Sequence, residues 1–479
     1  MRSLEATCPS QKSNRKNQRK ERSHTVNRIH KTTLATAVSL SMAMMAGQAQ
    51  GAGFALMEKN ATDLGQAYAN LATGNGEASG MIGNPAAMTQ IDGTAVSGGI
   101  NYIRPSFELK AGASSQSAFG PTVGGLGGDA GESAAIPNAS IVHQMNERTR
   151  VGLALTVPFG LATEYDEEWL GRYHGIESRI EVIDISPSIS FDVTPEWTIG
   201  GALNIQRAEA KLTSAINGGA ACVGGRIAQG DTPTNAGQTC AGIGLIPGQP
   251  SSDGHVEIEG DDWSVGYTIG ALWQPTERTR VGLSYHSGID HELEGDVDYT
   301  VPAALAANPA FADSPAEAGL DLPASLSASL THQFSDTVTG SLGLLWTGWS
   351  SFDELRVEQS GGRESVTTEN WDDTLRVAMG GEWEFAPRWT LRAGAAYDPT
   401  PVPSAEFRTA RLPDADRTWG SIGLGYAINR HWSVDVGYTH IWLNDSSINN
   451  TTESSIPDTL QGQYEAEVDI LGLQVNARF

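Results

Sequence analysis

Short segments with alternating apolar and polar residues recur along the chain from about residue 94 onward. Many follow a turn rich in Pro, Asn, Asp or Glu. Between Arg150 and Val157, one side carries Val151, Leu153, Leu155 and Val157, and the other carries Arg150, Gly152, Ala154 and Thr156. Alternation with a period of two after a tight turn predicts antiparallel hairpins. Counting these segments predicts about fourteen strands, an even number as in bacterial outer-membrane barrels.

Longer polar connections separate the hairpin units, at approximately residues 106–132, 161–178, 213–260, 290–323, 350–370, 399–414 and 444–463. Short turns at one end and long loops at the other are typical of outer-membrane barrels. Tryptophans stand repeatedly at strand ends, where amphipathic rings anchor at a bilayer interface; they include Trp197, Trp389, Trp432 and Trp442. The pattern therefore predicts an all-β fold, a transmembrane antiparallel β-barrel of about fourteen strands.

The stretch from Gly51 to Ile91 is different, because it is rich in Ala and Gly and contains one predicted short helix, Ala61 to Ala72. Such a segment is too small to bury a core of its own and must pack inside something else. We expect residues 52–91 to form a helical hatch inside the lumen and residues 92–479 to form the barrel.

Residues 1–51 are interpreted as a signal peptide with an extended basic prefix, followed by the small-residue cleavage site Ala49-Gln50-Gly51. Translation starting nearer Val26 is an alternative. Beyond this leader no run of 18 apolar residues exists, so a helical membrane protein is excluded. The net charge of −25 argues against nucleic-acid binding through a basic patch.

Of the three cysteines, Cys8 leaves with the leader. Cys222 and Cys240 lie in one polar loop, and in an oxidising compartment this spacing predicts a disulfide. Two free thiols are the alternative.

No catalytic or metal-ligating constellation is found: the chain has no GxSxG elbow, HExxH helix motif, phosphate loop or CxxC pair. We therefore expect no enzyme activity, no cofactor and no metal site. Two acidic runs, at residues 166–168 and 257–262, are either solvated loop faces or weak sites for divalent cations near lipopolysaccharide.

Several stretches together resemble the FadL-type outer-membrane transporters of long-chain fatty acids and other hydrophobic compounds. They are Ala52-Gly53-Phe54, Leu64-Gly65-Gln66-Ala67-Tyr68, Asn84-Pro85-Ala86, Pro158-Phe159-Gly160-Leu161, Trp169 with Gly171-Arg172-Tyr173, Trp371-Asp372-Asp373-Thr374, Arg411-Leu412-Pro413-Asp414 and Asp416-Arg417-Thr418-Trp419. This resemblance covers nearly the whole mature chain. It implies passive uptake past a hatch that changes conformation.

Pro158-Phe159-Gly160 interrupts an otherwise regular strand, because proline removes a ladder donor and glycine weakens the strand. From the residues alone, the break either opens a gap between strands or begins a loop. The resemblance places it in a kinked third strand beside a lateral opening into the bilayer.

A substrate path and its end points follow from the same interpretation. Phe54, Leu56 and Met57 are the candidate hatch end of the path, or ordinary plug core. The turn Asn84-Pro85-Ala86 would fix the hatch to the first strand. The apolar loop from Val301 to Phe311 could form part of an outer groove.

A fatty acid carries a carboxylate that needs a donor in the lumen. Alternation puts four arginines on the inward face, either as headgroup ligands or as partners of lumenal acids: Arg150, Arg280, Arg376 and Arg392. The sequence does not separate fatty acids from aromatic hydrocarbons. A general porin for polar solutes and a lipid hydrolase are the rival functions.

The expected location is the outer membrane of a Gram-negative cell, as a monomer. The expected partners are a hydrophobic small molecule, outer-membrane lipid and lipopolysaccharide. The alternating last strand ends in Phe479, and this aromatic terminus resembles the signal that barrel assembly machinery recognises.

Overall fold

The computed structural model describes residues 53–479. The predicted leader, which includes Cys8, lies outside the described residues, as does Ala52, the first residue of the predicted hatch. Fourteen antiparallel strands close into a barrel, as the alternation predicted. Closure is made by the first strand pairing with the last, from Ala95 opposite Arg478 to Leu109 opposite Tyr464.

We label the strands in chain order. The first six and three later ones are continuous: β1 (Thr94–Leu109), β2 (Ala134–Asn146), β3 (Thr149–Glu164), β4 (Glu177–Asp192), β5 (Trp197–Ile216), β6 (Gly254–Thr276), β11 (Trp389–Asp398), β12 (Arg417–Ala427) and β14 (Asp458–Arg478). Five consist of two segments: β7 (Thr279–His286 and Ile289–Thr300), β8 (Ser314–Leu322 and Ser325–Ser335), β9 (Val338–Thr347 and Glu354–Gln359), β10 (Arg363–Thr368 and Thr374–Ala386) and β13 (Trp432–Leu443 and Ser446–Thr451).

The connections differ in length between the two ends of the barrel, which we call the turn end and the loop end. Much of what the sequence suggested to be loop at residues 290–323 and 350–370 is strand, because neighbouring strands extend together past the barrel wall. A short hairpin at the loop end pairs Ser114–Ser117 with Gly120–Pro121.

The outward face is apolar along the barrel wall. In β3, Leu153 and Leu155 are exposed while Ala154 and Thr156 are buried. Aromatic rings pair at the turn end, where Trp197 stacks on Trp273 at 5.6 Å. An apolar outer band with amphipathic rings at its edge is typical of a barrel wall that faces lipid.

Residues 53–91, which we call the N-terminal segment, contain only short helices. These are α1 (Ala61–Leu64) and the 3₁₀ helices Ala78–Ile82 and Pro85–Gln90. The predicted helix over Ala61–Ala72 therefore ends early, because Ala67 and Tyr68 adopt positive φ angles of 48° and 54°. A right-handed helix cannot continue through that conformation.

Asp63 organises this turn. Its carboxylate accepts hydrogen bonds from the side-chain amides of Asn60 at 2.8 Å, Asn70 at 2.7 Å and Asn75 at 3.2 Å. Three amide donors on one carboxylate hold the chain in a compact shape that its own small core could not maintain.

Two further helices lie at the loop end, α2 (Gly218–Ala228) and α3 (Pro233–Gly242), between β5 and β6. Additional 3₁₀ turns are Pro250–Ser252, Pro309–Phe311 and Trp349–Ser351. Within residues 53–479, no helix has both the length and the apolar character needed to traverse a bilayer.

Candidate functional site

Inward-facing glycines make room for the N-terminal segment. A β-carbon at any of ten positions, one on each of ten strands, would stand less than 3.0 Å from an atom of that segment: Gly152, Gly200, Gly270, Gly282, Gly343, Gly380, Gly394, Gly423, Gly437 and Gly472. The other four strands touch it through Asn101, Val142, Asp192 and Ser329. The segment thus contacts every strand of the barrel and crosses the lumen.

Asn84 fastens the segment to the wall. Its side chain accepts from the Ala86 N–H at 2.9 Å and donates to the carbonyls of Ala271 in β6 and Leu283 in β7, both at 3.2 Å. Pro85 starts the following 3₁₀ helix. The Asn84 side chain is thus bonded to β6 and β7, and Pro85 and Ala86 lie against Gly200 in β5, whereas the sequence interpretation placed this turn at the first strand.

The barrel wall has a window between β2 and β3. The two strands pair only from Asn146 opposite Thr149 to Ala139 opposite Leu155. Beyond that point they separate, and they meet again where Gly131 bridges to Thr163 near the loop end. The unpaired stretch, from Thr156 to Leu161 on the β3 side, is roughly 20 Å long at the rise of a strand.

A bulge sits at the base of the window. The pairing of β3 with β4 shifts between Thr156 and Phe159, at Val157 and Pro158. One extra residue reverses which side chains face inward, because strand alternation has a period of two. Phe159 therefore points into the lumen, where strict alternation would have placed it in lipid.

The N-terminal segment supplies the missing strand partner from inside. Ala55 forms an antiparallel bridge with Phe159. The Leu56 N–H donates to the Pro158 carbonyl at 2.8 Å, and the Gly160 N–H donates to the Phe54 carbonyl at 3.0 Å. These bonds satisfy backbone groups of β3 that β2 leaves unpaired.

Phe54 lies in a cluster of aromatic rings beside this bridge. Its ring centroid is 5.0 Å from that of Trp349, 5.5 Å from Phe352 and 5.8 Å from both Phe159 and Trp371. Edge and tilted contacts at these distances are favourable for aromatic pairs. The cluster blocks the lumen on the loop-end side of the bridge.

A cavity of about 370 Å³, the window cavity, opens at the gap. Both edges of the window line it, through Ala134 and Ile136 on one side and Leu161 on the other, and Leu56 reaches into it. Its lining is mostly apolar, so it suits a hydrophobic molecule. Met57, the third residue predicted for the path, instead lines a smaller cavity of about 100 Å³ on the other side of the bridge.

Two charged side chains face the window cavity from the lumen. Arg417 donates to the Gly53 carbonyl at 2.8 Å and to Asp414 at 2.7 Å. Burial raises the pKa of the Glu58 carboxyl to about 7, although Arg417 and Arg376 act in the opposite direction. The inner end of the cavity is therefore charged, and Glu132, Arg179 and Glu181 add charged groups elsewhere in its mostly apolar lining.

The four inward arginines predicted as headgroup ligands differ in their surroundings. Arg150 pairs with Asp192, Arg376 with Asp398 at 3.6 Å, and Arg392 with Asp435 at 2.6 Å. Arg280 has no ion pair among residues 53–479, and its Nε is buried without a hydrogen-bond partner there. Arg411 and Arg417 line cavities and were not selected from sequence; both stood in the family-like stretches already noted.

At the loop end, helices α2 and α3 are joined by a disulfide between Cys222 and Cys240. They pack on the loop from Val301 to Phe311 through a small apolar cluster that includes Val223, Leu245 and Leu305. This arrangement forms a helical cover beside the barrel mouth.

Comparison with known proteins places these features in context. Residues 42–479 match the family model described as outer membrane protein transport protein (OMPP1/FadL/TodX). The long-chain fatty acid transport protein of Escherichia coli K12 is 28% identical over 428 residues, covering 86% of this chain and 93% of that protein.

Two solved structures are similar over most of the chain. A Pseudomonas aeruginosa FadL homologue aligns with a TM-score of 0.80 and 26% identity, covering 89% of this chain and 100% of that one. The Pseudomonas putida toluene transporter TodX aligns with a TM-score of 0.61 and 18% identity, covering 84% and 94%, and this likeness concerns the fold alone.

Proposed function

The chain belongs to the OMPP1/FadL/TodX family of outer membrane transport proteins, and from this premise we propose that it carries long-chain fatty acids inward through the window. It is an outer-membrane β-barrel, with the loop end outside the cell and the turn end in the periplasm. Members of the family are transporters, and we propose transport without catalysis for this chain.

The proposal is supported mainly by the window in the barrel wall and the mostly apolar cavity that opens at it. Each methylene moved from water into an apolar site gains roughly 0.8 kcal/mol, so a long acyl chain avoids a wide aqueous pore. A route from the loop end to the window cavity leads sideways into lipid. Pro158, Phe159 and Gly160 would form the inner edge of that exit.

The route would begin at the helical cover and pass the aromatic cluster to the N-terminal segment. Phe54 and Leu56 block it in the present conformation, because one belongs to the cluster and the other reaches into the window cavity. Withdrawal of the N-terminal segment from β3 would connect the loop-end part of this route to the window cavity. Residues 52–91 thus act as the hatch in our proposal.

Fatty acids are favoured over aromatic hydrocarbons by the charged inner end of the window cavity. Glu58 and Arg417 can hydrogen-bond a carboxyl group, which a hydrocarbon lacks. The full-length similarity to a long-chain fatty acid transport protein points the same way. Among the four inward arginines, Arg280 has no ion pair within residues 53–479, but it follows the turn between β6 and β7 and does not line the window cavity.

A general porin is disfavoured because the N-terminal segment contacts all fourteen strands. We also propose that the protein works as a monomer, that its outer face contacts lipid and lipopolysaccharide, and that the last strand with Phe479 is read by the assembly machinery. The barrel form and its apolar outer surface support the proposed contact with lipid.

Uptake of radiolabelled oleate in cells lacking their own transporter tests the proposal. We compare the parent with a variant in which Pro158-Phe159-Gly160 is replaced by Val-Thr-Val. Pro187→Val is the matched control, because it removes a proline from the paired wall opposite Leu153. Folding is checked by heat-modifiable migration and surface exposure.

We expect uptake by the parent and the control and its loss in the triple variant. No oleate uptake by a folded parent would overturn the fatty-acid assignment, and toluene would then be tested. Equal uptake by parent and triple variant would keep the substrate and reject the window as its exit.

A further inference from the structure

A second cavity, of about 330 Å³, lies at the loop end, and we call it the mouth cavity. Hydroxyl and amide side chains form much of its lining, among them Ser365, Thr367, Thr409, Asn450 and Thr451. Apolar side chains also reach it, namely Ala221, Phe311 and Ile456. It therefore has one polar wall and one apolar side next to the helical cover.

Arg411 lines this cavity from the connection between β11 and β12. Its Nη1 donates to Ser178 Oγ at 2.9 Å and to the carbonyls of Glu177 and Thr213 at 3.3 Å. Its Nε and Nη2 have no acceptor within residues 53–479, and neither atom is sealed from the cavity. The guanidinium thus keeps a free pair of donors.

The acids near Arg411 do not neutralise it. Burial raises the pKa of Glu369 to about 8, so that this acid is mostly uncharged at neutral pH. Asp458 accepts hydrogen bonds from Ser115, Thr122 and His174, and Glu453 accepts from the Thr368 N–H at 2.8 Å. Asp458 and Glu453 line the same cavity, but neither forms an ion pair with Arg411.

Arg411 itself remains a cation, because burial lowers the pKa of its guanidinium only to about 10. A buried charge without a partner is costly and is stabilised by an anion that occupies its free donors. A carboxylate matches a guanidinium in geometry, accepting two parallel N–H bonds.

We propose that the mouth cavity is a binding site for the carboxylate headgroup of the transported molecule, held by Arg411 before the acyl chain enters the barrel. This inference rests on the proposed function and adds a headgroup site to it. Ser and Thr hydroxyls on the polar wall would complete the headgroup's hydrogen bonds.

The neighbouring residue connects this site to the apolar route. Leu412 packs in the same buried cluster as Phe54 and Trp371 and lines the window cavity. A headgroup at Arg411 therefore places the start of the acyl chain one residue away from the aromatic cluster. The adjacent side chains of Arg411 and Leu412 would therefore contact the polar headgroup and the apolar chain of an amphipathic substrate.

Equilibrium binding to the purified full-length protein in detergent tests the site. Oleate is compared with oleyl alcohol, which has the same chain and no carboxylate. The variants are Arg411→Gln, which removes the charge, and Arg411→Lys, which retains it. Arg226→Gln is the control, because Arg226 belongs to the same outer region and is already paired with Asp231 at 2.6 Å.

We expect Arg411→Gln to weaken oleate binding by about 10- to 100-fold, the value of a charge-assisted hydrogen bond pair, and to leave oleyl alcohol unchanged. Arg411→Lys should recover part of the loss, and Arg226→Gln should match the parent. Unchanged oleate binding in Arg411→Gln, or equal weakening of oleate and oleyl alcohol, would overturn the site. A parent that binds neither ligand would instead contradict the proposed function.

Discussion

Replacing Phe54 with alanine should release the first residues of the N-terminal segment from β3 while the barrel stays folded. The Phe54 side chain is 4% exposed, and four aromatic rings surround it. Truncating a buried phenylalanine costs about 3–5 kcal/mol. The two backbone hydrogen bonds of the bridge contribute only about 1 kcal/mol each, so they cannot hold the end in place.

Hydrogen exchange at the Gly160 amide measures this release directly, because that N–H donates to the Phe54 carbonyl. At about 1.4 kcal/mol for each factor of ten, the loss corresponds to exchange faster by roughly 100- to 4000-fold. Met88→Ala is the control. Met88 is equally buried in the same segment but packs on Ala95 and Val142, away from the window.

Exchange of the Gly160 amide at the parent rate in Phe54→Ala would contradict a role of Phe54 in holding the bridge. Equal acceleration of the same amide in Met88→Ala would also contradict it, because the N-terminal segment would then loosen as one unit and Phe54 would have no special part in the bridge.

Three further predictions concern the N-terminal segment, the helical cover and the mouth of the barrel. Gly343→Val should prevent the N-terminal segment from docking, because the β-carbon would stand 2.6 Å from a backbone oxygen of that segment. The purified variant should therefore conduct ions better than the parent, and equal conductance would contradict the prediction. Cys222→Ser should destabilise the helical cover by about 3 kcal/mol, because the disulfide closes a loop with an 18-residue spacing to Cys240. Trypsin should then cleave the cover faster than in the parent. Unchanged resistance would show that packing alone keeps the cover folded. The raised pKa of Glu369, about 8, means that its contribution to stability is full below pH 4.5 and is lost as pH rises through 8. Protease resistance of the hairpin formed by Glu354–Gln359 and Arg363–Thr368 should therefore fall over that range in the parent and stay level in Glu369→Gln. Parallel profiles in the two proteins would refute the assignment.

The alternating pattern was enough to predict the barrel because lipid and lumen impose opposite requirements on successive residues. Leu153 and Leu155 face outward, and Ala154 faces inward, as the period of two indicates. The even strand count was likewise confirmed, since each short turn marks one hairpin. The length and glycine content of residues 52–91 predicted that they pack inside another structure, and contacts place residues 53–91 across the lumen.

Other features depended on long-range geometry that local patterns do not contain. The predicted helix over Ala61–Ala72 stopped because side-chain amides hold Asp63 in a different turn. Phe159 faces inward because one bulge shifts the alternation. Arg411 could be recognised as unpaired only once the surrounding acids were located.

The ten inward glycines were visible in the sequence but had no stated role there. Each looks like an ordinary weak point in a strand when its segment is considered alone. Their common level around the barrel becomes apparent only from the register, in which Gly200 faces Gly270 and Gly423 faces Gly437. An inward glycine recurring across successive strands is therefore a sequence indication of a plugged lumen.

The cost of opening the window predicts a dependence on substrate chain length. Detaching Phe54 costs about 3–5 kcal/mol, and each buried methylene returns roughly 0.8 kcal/mol, so about four to six methylenes are needed merely to offset the opening. A ligand can shift this equilibrium only by its differential affinity for the open state. Uptake should therefore rise steeply from hexanoate to decanoate and level off for longer chains, whereas Phe54→Ala should transport short and long chains more evenly. An identical chain-length profile in both proteins, measured with radiolabelled acids from six to eighteen carbons, would show that release of Phe54 does not limit transport.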